Sequence, residues 1–243
     1  MTGLHRLLLM VSLGCSTGAH ATAEAHVAVG SSIVTQVYGQ AAQNVYVKIL
    51  VPNLSYEKDV SVVFEKDSQR ATIIARYVGP AEGGYEVWEA AANIDPGAHS
   101  FHVEYDAVPS STERASYYLR EGSGPVLYGD QAIMAIYNPR VARVGQAAFH
   151  VAVKNIAYQK KVLLHVSRDG WKSSSVVPLN YEAIFASDKG SVEMPNVEGF
   201  ETWGVNLPLN SDVHHLDYYY TYEVSGQTFT DNNFGQNYSL ELR

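Results

Sequence analysis

The amino-acid sequence predicts an all-β chain built as two tandem β-sandwich domains, and three observations carry that prediction. Short stretches of alternating apolar and polar residues recur along its 243 residues, 17 of which are Tyr, and a period of two marks half-buried strands. The segment Val51-Pro-Asn-Leu-Ser-Tyr-Glu-Lys-Asp-Val60 matches Val153-Lys-Asn-Ile-Ala-Tyr-Gln-Lys-Lys-Val162 at an offset of 153 − 51 = 102 residues. A repeat that long implies tandem domains, because solenoid repeats run only about 20 to 50 residues. Between the copies stands Glu121-Gly-Ser-Gly-Pro125, where Gly and Ser loosen a chain and Pro ends strand pairing.

Taken in order, the chain begins with His5-Arg6, an apolar run over 7–13, and A-x-A sites at Ala19-His-Ala21 and Ala21-Thr-Ala23. This reads as a signal peptide over 1–23 and predicts a secreted, extracellular protein. The apolar run is too short for a membrane helix, which needs roughly 18 apolar residues. The first domain is expected over 26–121 and the second over 125–243, each near the usual domain size. Within the first, Tyr85-Glu-Val-Trp88 answers to Phe200-Glu-Thr-Trp203, and Phe101-His-Val-Glu-Tyr105 to Tyr218-Tyr-Tyr-Thr-Tyr222. Residues 88–93 have helix-favouring composition, but the alignment assigns them to a strand, and tertiary context outweighs propensity. In the second domain, strands are expected near 131–137, 147–155, 162–167, 201–207, 216–224, 227–231 and 238–242. Seven or eight short strands with turns between them predict an immunoglobulin-like sandwich.

The net charge of −8 argues against nucleic acid and anionic lipid surfaces as partners, since both call for basic patches. The single Cys15 lies inside the expected signal, so the mature chain would carry no disulfide or cysteine metal site. Alternatively, Val11-Ser-Leu-Gly-Cys15 acts as a lipoprotein box and the protein is lipid-anchored at Cys15. Asp67, Asp169, Asp188 and Asp231 fall in turns with nothing pairing them, whereas a glycosidase needs two carboxylates about 5 to 10 Å apart. No G-x-S-x-G, H-E-x-x-H or phosphate loop appears. His214-His215 would point to opposite faces of a strand, and residues 231–237 lack the spacing of an EF-hand. The sequence therefore predicts no enzyme, no cofactor and no metal.

The period of two places Tyr218, Tyr220, Tyr222 and Val224 on the core face of one strand and turns Tyr219 outward. Trp171 follows Asp169-Gly170, a turn signature, and so stands on a polar loop, either exposed as a platform or folded back over a sandwich edge. Trp203 and Trp88, in alternating strands, are expected in the core.

Over 131–242, several motifs occur together: the 153–162 segment, Asp169-Gly-Trp171-Lys, Tyr222-Glu-Val-Ser-Gly226, Asp231-Asn-Asn233 and Asn237-Tyr238. In this order they resemble carbohydrate-binding module family 21, found in fungal glucoamylases and in glycogen-targeting subunits of a Ser/Thr phosphatase. The resemblance implies non-catalytic binding of an α-glucan: starch, glycogen or maltodextrin. Sugar rings present a flat C–H face ringed by hydroxyls, so exposed aromatics and nearby amides or ammonium groups suit them. On this resemblance Trp171 and Tyr219 form one stacking site with Asn232 and Asn233, and Tyr158 and Tyr181 form a second with Lys160. Thr230 departs from the family, which carries an aromatic there.

The first repeat keeps Tyr56, Lys58 and Tyr77, a candidate second-type site, or alternatively residues that cap the sandwich. It has His102 in place of Tyr219 and no match for Trp171. The resemblance also implies an adaptor alternative, in which the first repeat binds a protein partner such as an amylase or a phosphatase. The phosphatase docking motif is missing, since Arg140-Val-Ala-Arg143 starts correctly and ends wrongly.

Overall fold

A computed structural model describes residues 25–107, 115–136, 139–143 and 145–242. The expected signal peptide and Cys15 lie outside the described residues. The first half of the chain supplies β1 (His26–Val37), β2 (Gln40–Pro52), β3 (Lys58–Lys66), β4 (Gln69–Ile74), β5 (Arg76–Ala81), β6 (Tyr85–Ile94), β7 (His99–Ala107), β8 (Ser116–Leu119) and β9 (Val126–Leu127). The second supplies β10 (Ile133–Ala135), β11 (Arg140–Arg143), β12 (Gln146–Lys154), β13 (Lys160–Ser167), β14 (Ser175–Pro178), β15 (Asn180–Glu182), β16 (Ile184–Ser187), β17 (Gly190–Glu193), β18 (Phe200–Pro208), β19 (His215–Val224), β20 (Gln227–Asp231) and β21 (Tyr238–Glu241). Among the described residues the chain is all-β apart from one turn of 3-10 helix at Glu82–Gly84.

Among the described residues, four of the five sheets form two opposed pairs, and β16–β17 make a small fifth. In the first half β5-β6-β2-β1-β9 faces β4-β3-β7-β8, and in the second β10-β12-β18-β15 faces β14-β13-β19-β20, with β11 added to β12 and β21 to β19. Each pair encloses an apolar core. Val45, Val47, Ile49, Val62, Phe64 and Phe101 fill the first, and Phe149, Val151, Leu164, Leu216, Tyr218 and Tyr222 the second. Alternation decides which side chains go in: along β19, Tyr218, Tyr220, Tyr222 and Val224 are buried while Tyr219 is half-exposed between them. The 88–93 segment is strand, lying in β6 between β2 and β5. Two-residue turns with positive φ at both positions close three hairpins, at Tyr38-Gly39 (51° and 80°), Asp67-Ser68 (47° and 69°) and Ser225-Gly226 (51° and 76°). Such turns match the right-handed twist of the strands they join.

The seven strands expected in the second half appear within a few residues of their places. The β11, β14, β15 and β16–β17 segments lie outside the expected strands. After β14 the chain leaves its sheet at Leu179, whose N–H donates to the Val162 carbonyl at 2.9 Å, and β15 joins β18 on the opposite sheet. The first half makes the same crossing at Ala75, whose N–H donates to Val60 at 2.8 Å, before β5 joins β6.

The Glu121–Pro125 stretch, read from composition as a loose linker, is packed. Ser123, Gly124 and Pro125 are buried. The Asn196 side-chain amide donates to the Ser123 and Pro125 carbonyls at 2.7 and 2.8 Å, and β9 continues the first-half sheet beyond it by pairing with β1. Tertiary hydrogen bonds override the flexibility of Gly and Ser here, because buried backbone groups must find partners. The halves also meet through an apolar cluster of Ile33, Ile136, Ala152, Phe185 and Met194.

Candidate functional site

Strand β13 ends at Ser167, and a short polar loop follows that presents Trp171. The Ser167 hydroxyl accepts the Trp171 N–H at 2.8 Å and donates to Asp169 Oδ1 at 2.9 Å. The Asp169 carboxylate in turn accepts the Ser173 N–H at 2.9 Å and the Ser173 hydroxyl at 2.7 Å. Those two bonds from Ser173, with smaller contributions from Ser167 and Lys172, pull the Asp169 pKa down to about 2. Trp171 itself takes φ = 66°, a left-handed conformation costing a side chain on the order of 1 kcal/mol. The serine and aspartate bonds hold it there. The indole is 36% exposed and lies over Tyr219, with centroids 5.4 Å apart and planes tilted 41°.

Tyr219 stacks in turn on His165, at 4.4 Å and 3°. The two residues are register partners on β13 and β19. His165 Nε2 and Thr221 Oγ1 are 2.9 Å apart, and burial pushes the His165 pKa below its ordinary value, so the ring stays neutral at pH 7. The result is an aromatic surface of three rings on the outer face of the β13–β19 sheet. Sequence reasoning missed His165. The alternation of Val162, Leu164 and Val166 inward along β13 was the signal that could have found it.

Tyr158 and Tyr181 sit elsewhere. Tyr158 is 99% exposed and Tyr181 42% exposed. The Tyr181 ring meets Trp203 edge-on, at 6.0 Å and 69°, and its hydroxyl donates to the Met194 carbonyl. Lys160 has a different task from the sugar hydrogen bonding expected of it. Its Nζ donates to Asn155 Oδ1 at 2.6 Å and to Glu201 Oε2 at 2.9 Å, with the lysine side chain only 3% exposed. Glu201 Oε2 also accepts the Trp203 indole N–H at 3.0 Å. Lys160 thus fixes the aromatic wall instead of reaching into solvent. Trp203, expected in the core, is half-buried there and also backs the exposed Tyr181.

The first half repeats this arrangement contact by contact. Lys58 Nζ donates to Asn53 Oδ1 and to Glu86 Oε2, both at 2.6 Å. The Trp88 indole N–H donates to Glu86 at 3.4 Å, and Tyr77 meets Trp88 edge-on at 5.6 Å and 72°. Tyr56 is fully exposed. The Trp171-type surface is not repeated: the two-residue Asp67-Ser68 turn replaces the loop, and His102 interacts with Glu104 at 3.2 Å, which also pairs with Arg70 at 2.7 Å.

Asn232 and Asn233 lie in the β20–β21 loop, where Asn232 Oδ1 accepts the Gly235 N–H at 2.9 Å and Asn233 Nδ2 donates to the Asn237 carbonyl at 3.2 Å. This loop leans on the first half. Phe234 packs beside Leu50, Ala81 and Val87, and its carbonyl accepts the Glu82 N–H at 2.7 Å. Thr230 is exposed on β20, opposite Thr221. His215 bonds Asp217 and Glu241 at the surface. Among the described residues, no three His, Cys, Asp or Glu side chains are grouped to hold a metal ion, and no helix is long and apolar enough to cross a membrane.

Residues 144–241 match the carbohydrate/starch-binding module of family 21, the family that the motifs of this segment resemble. Protein phosphatase 1 regulatory subunit 3C of Xenopus tropicalis is 31% identical over 90 residues, covering 37% of this chain and 36% of that protein. Protein phosphatase 1 regulatory subunit 3B of Homo sapiens is 28% identical over 93 residues, covering 37% and 30%. The chain thus spans about a third of the length of these relatives. Two solved structures are also similar. The carbohydrate-binding module of the muscle glycogen-targeting subunit of Protein Phosphatase-1 has a TM-score of 0.36 at 21% identity, covering 46% of this chain and 76% of that one. The starch-binding domain of Rhizopus oryzae glucoamylase has a TM-score of 0.34 at 20% identity, covering 48% and 99%.

Proposed function

We propose that this protein binds an α-glucan (starch, glycogen or maltodextrin) without chemically altering it. The observation that carries the reading is the Trp171–Tyr219–His165 surface, which is open to solvent, uncharged at pH 7 and located in the segment that matches a carbohydrate/starch-binding module. A glucose ring laid on the indole buries its C–H face, while Asn232 and Asn233 offer amide hydrogen bonds from the neighbouring loop. A second contact forms at Tyr158 and Tyr181, with Lys160 holding Trp203 and Glu201 behind them. Burying on the order of 100 Å² of apolar surface is worth about 2.5 kcal/mol. Hydrogen bonds add to this and the costs of association subtract from it; one site is expected to bind weakly, in the range of about millimolar to tens of micromolar, and several sites on one polymer gain by avidity.

The test is retention on insoluble starch, with cellulose as control, using the chain from Glu24 onward beside Trp171→Ala and Tyr158→Ala. Retention on starch alone is expected, weakened about tenfold by Trp171→Ala, equivalent to about 1.4 kcal/mol. A wild-type chain that stays in the supernatant at every concentration sinks the reading.

The phosphatase regulatory subunits among the relatives favour one second reading, an adaptor in which the first half holds a protein partner while the second holds the polymer. A starch-bound chain that captures a purified phosphatase catalytic subunit or an amylase would support it. The chain is further proposed to be secreted after removal of residues 1–23, or else lipid-anchored through Cys15. Terminal sequencing of the mature protein separates these: a chain starting near Glu24 supports export, and a blocked, lipidated Cys15 supports the anchor.

A further inference from the structure

We propose that the first half of the chain carries its own α-glucan-binding cleft, built from Tyr56, Tyr77 and Trp88 and held in shape by Asn53, Lys58 and Glu86; this rests on the glucan reading of the second half. These six residues line a cleft of about 550 Å³, and the match to the carbohydrate/starch-binding module ends well short of it, at residue 144.

Three observations converge on it. The first is that the cleft wall reproduces the Asn155–Lys160–Glu201–Trp203–Tyr181 arrangement down to individual bonds. In each half a lysine on the first strand after the loop, only 3% exposed, bridges an asparagine five residues before it and a buried glutamate. That glutamate takes the N–H of a tryptophan two residues further on. The tryptophan is the register partner of a tyrosine on the strand that has just crossed between sheets, Tyr77 with Trp88 and Tyr181 with Trp203. A purely structural wall would not need the next feature: Tyr56 is fully exposed and Tyr77 51% exposed, apolar rings left in water at the mouth of a concave surface.

The second is the charge. Lys58 and Glu86 neutralise each other at 2.6 Å inside the wall, so the cleft presents aromatic faces and no net charge. That chemistry suits a neutral polyhydroxylated ring and gives no hold on a phosphate or an acidic peptide. The third is the selectivity of what was lost. The other aromatic surface has disappeared from this half, its loop cut to a two-residue turn and its tyrosine position filled by His102 in an ion-pair cluster. The Lys–Glu–Trp–Tyr wall nonetheless stands intact.

The experiment titrates full-length protein with maltoheptaose by calorimetry. In one variant the second-half contacts are removed together, by Trp171→Ala, Tyr158→Ala and Tyr181→Ala. To this background Tyr56→Ala and Tyr77→Ala are then added; Tyr56→Phe, which keeps the ring, is the conservative control, and circular dichroism reports the fold of each. Residual binding in the triple variant is expected, lost on adding Tyr56→Ala and Tyr77→Ala and kept with Tyr56→Phe. If the wild type binds and the folded triple variant does not, or if residual binding ignores both first-half tyrosines, the cleft is not a site although the glucan reading stands. If the wild type itself takes up no maltoheptaose, the glucan reading fails and this proposal fails with it.

Discussion

Trp171 owes its position to hydrogen bonds within its own loop. Its positive φ is held by Ser167 and by Asp169, whose carboxylate is capped by Ser173. Because the folded carboxyl titrates at about 2 and a free one near 3.9, the cap is fully in place above pH 4 and is lost as the pH falls through about 2. The Trp171 indole NMR signal is therefore expected to keep its position from pH 7 to about pH 3; a shift centred near pH 4 would show that the cap does not hold the loop. Tyr220 makes the opposite case. Its hydroxyl is wholly buried without a hydrogen-bond partner among the described residues, and burial, aided by Tyr218 and Asp231, pushes its pKa well up. An orphaned buried hydroxyl costs about 1 to 3 kcal/mol. Tyr220→Phe is thus expected to raise unfolding stability by about 1 kcal/mol in urea, and a loss of that size would mean the hydroxyl has a partner after all.

At the scale of elements, the β12–β13 and β2–β3 connections each end in a lysine that bridges to a glutamate on the opposite sheet, on β18 or β6. Removing one member of a buried pair leaves the other charge without compensation, which costs about 3 to 5 kcal/mol. Lys160→Met is expected to destabilise the protein by that amount in chemical denaturation, and adding Glu201→Gln should recover most of it. A double variant no more stable than Lys160→Met alone would show that Glu201 does more than answer the lysine. The same strands explain why the tyrosines project. Tyr77 and Tyr181 lie on short strands at sheet edges, β5 and β15, where one flank of the side chain has no neighbouring strand to cover it.

Across the whole molecule, the β20–β21 loop ties the halves together. Asp231 accepts the Ala135 N–H at 2.5 Å and the Tyr238 hydroxyl at 2.8 Å. Tyr238 also accepts Lys48 Nζ at 3.3 Å, and Lys48 lies about over the Phe234 and Tyr238 rings, 5.4 and 5.1 Å from their centroids. Burial lowers the Lys48 pKa while Asp231 and Glu89 oppose the shift. This junction spans β2 of one half and the last loop of the other, so the halves are expected to unfold together. Asp231→Ala leaves a buried N–H and a buried hydroxyl without their acceptor, each costing about 1 to 3 kcal/mol, and takes away the carboxylate that favours the charge on Lys48. Calorimetry should show one transition in the wild type and two in this variant; two transitions in the wild type would mean the junction does not couple the halves.

The all-β class, seven strands of the second half and the outward turn of Tyr219 are legible in residue order, because a period of two records burial directly. The sequence also marked Trp171 as a loop residue through Asp169-Gly170, and it paired Tyr56, Lys58 and Tyr77 with Tyr158, Lys160 and Tyr181. Tertiary structure alone decided what those residues touch. His165 joins the aromatic surface only through cross-strand register, and Lys160 and Lys58 turn inward because Glu201 and Glu86, 41 and 28 residues away, arrive on facing strands. The Gly-Ser-Gly-Pro stretch becomes rigid because Asn196 reaches its carbonyls. Local pattern fixes which face of a strand a side chain takes; the partner it meets there comes from distant chain, and no local pattern records it.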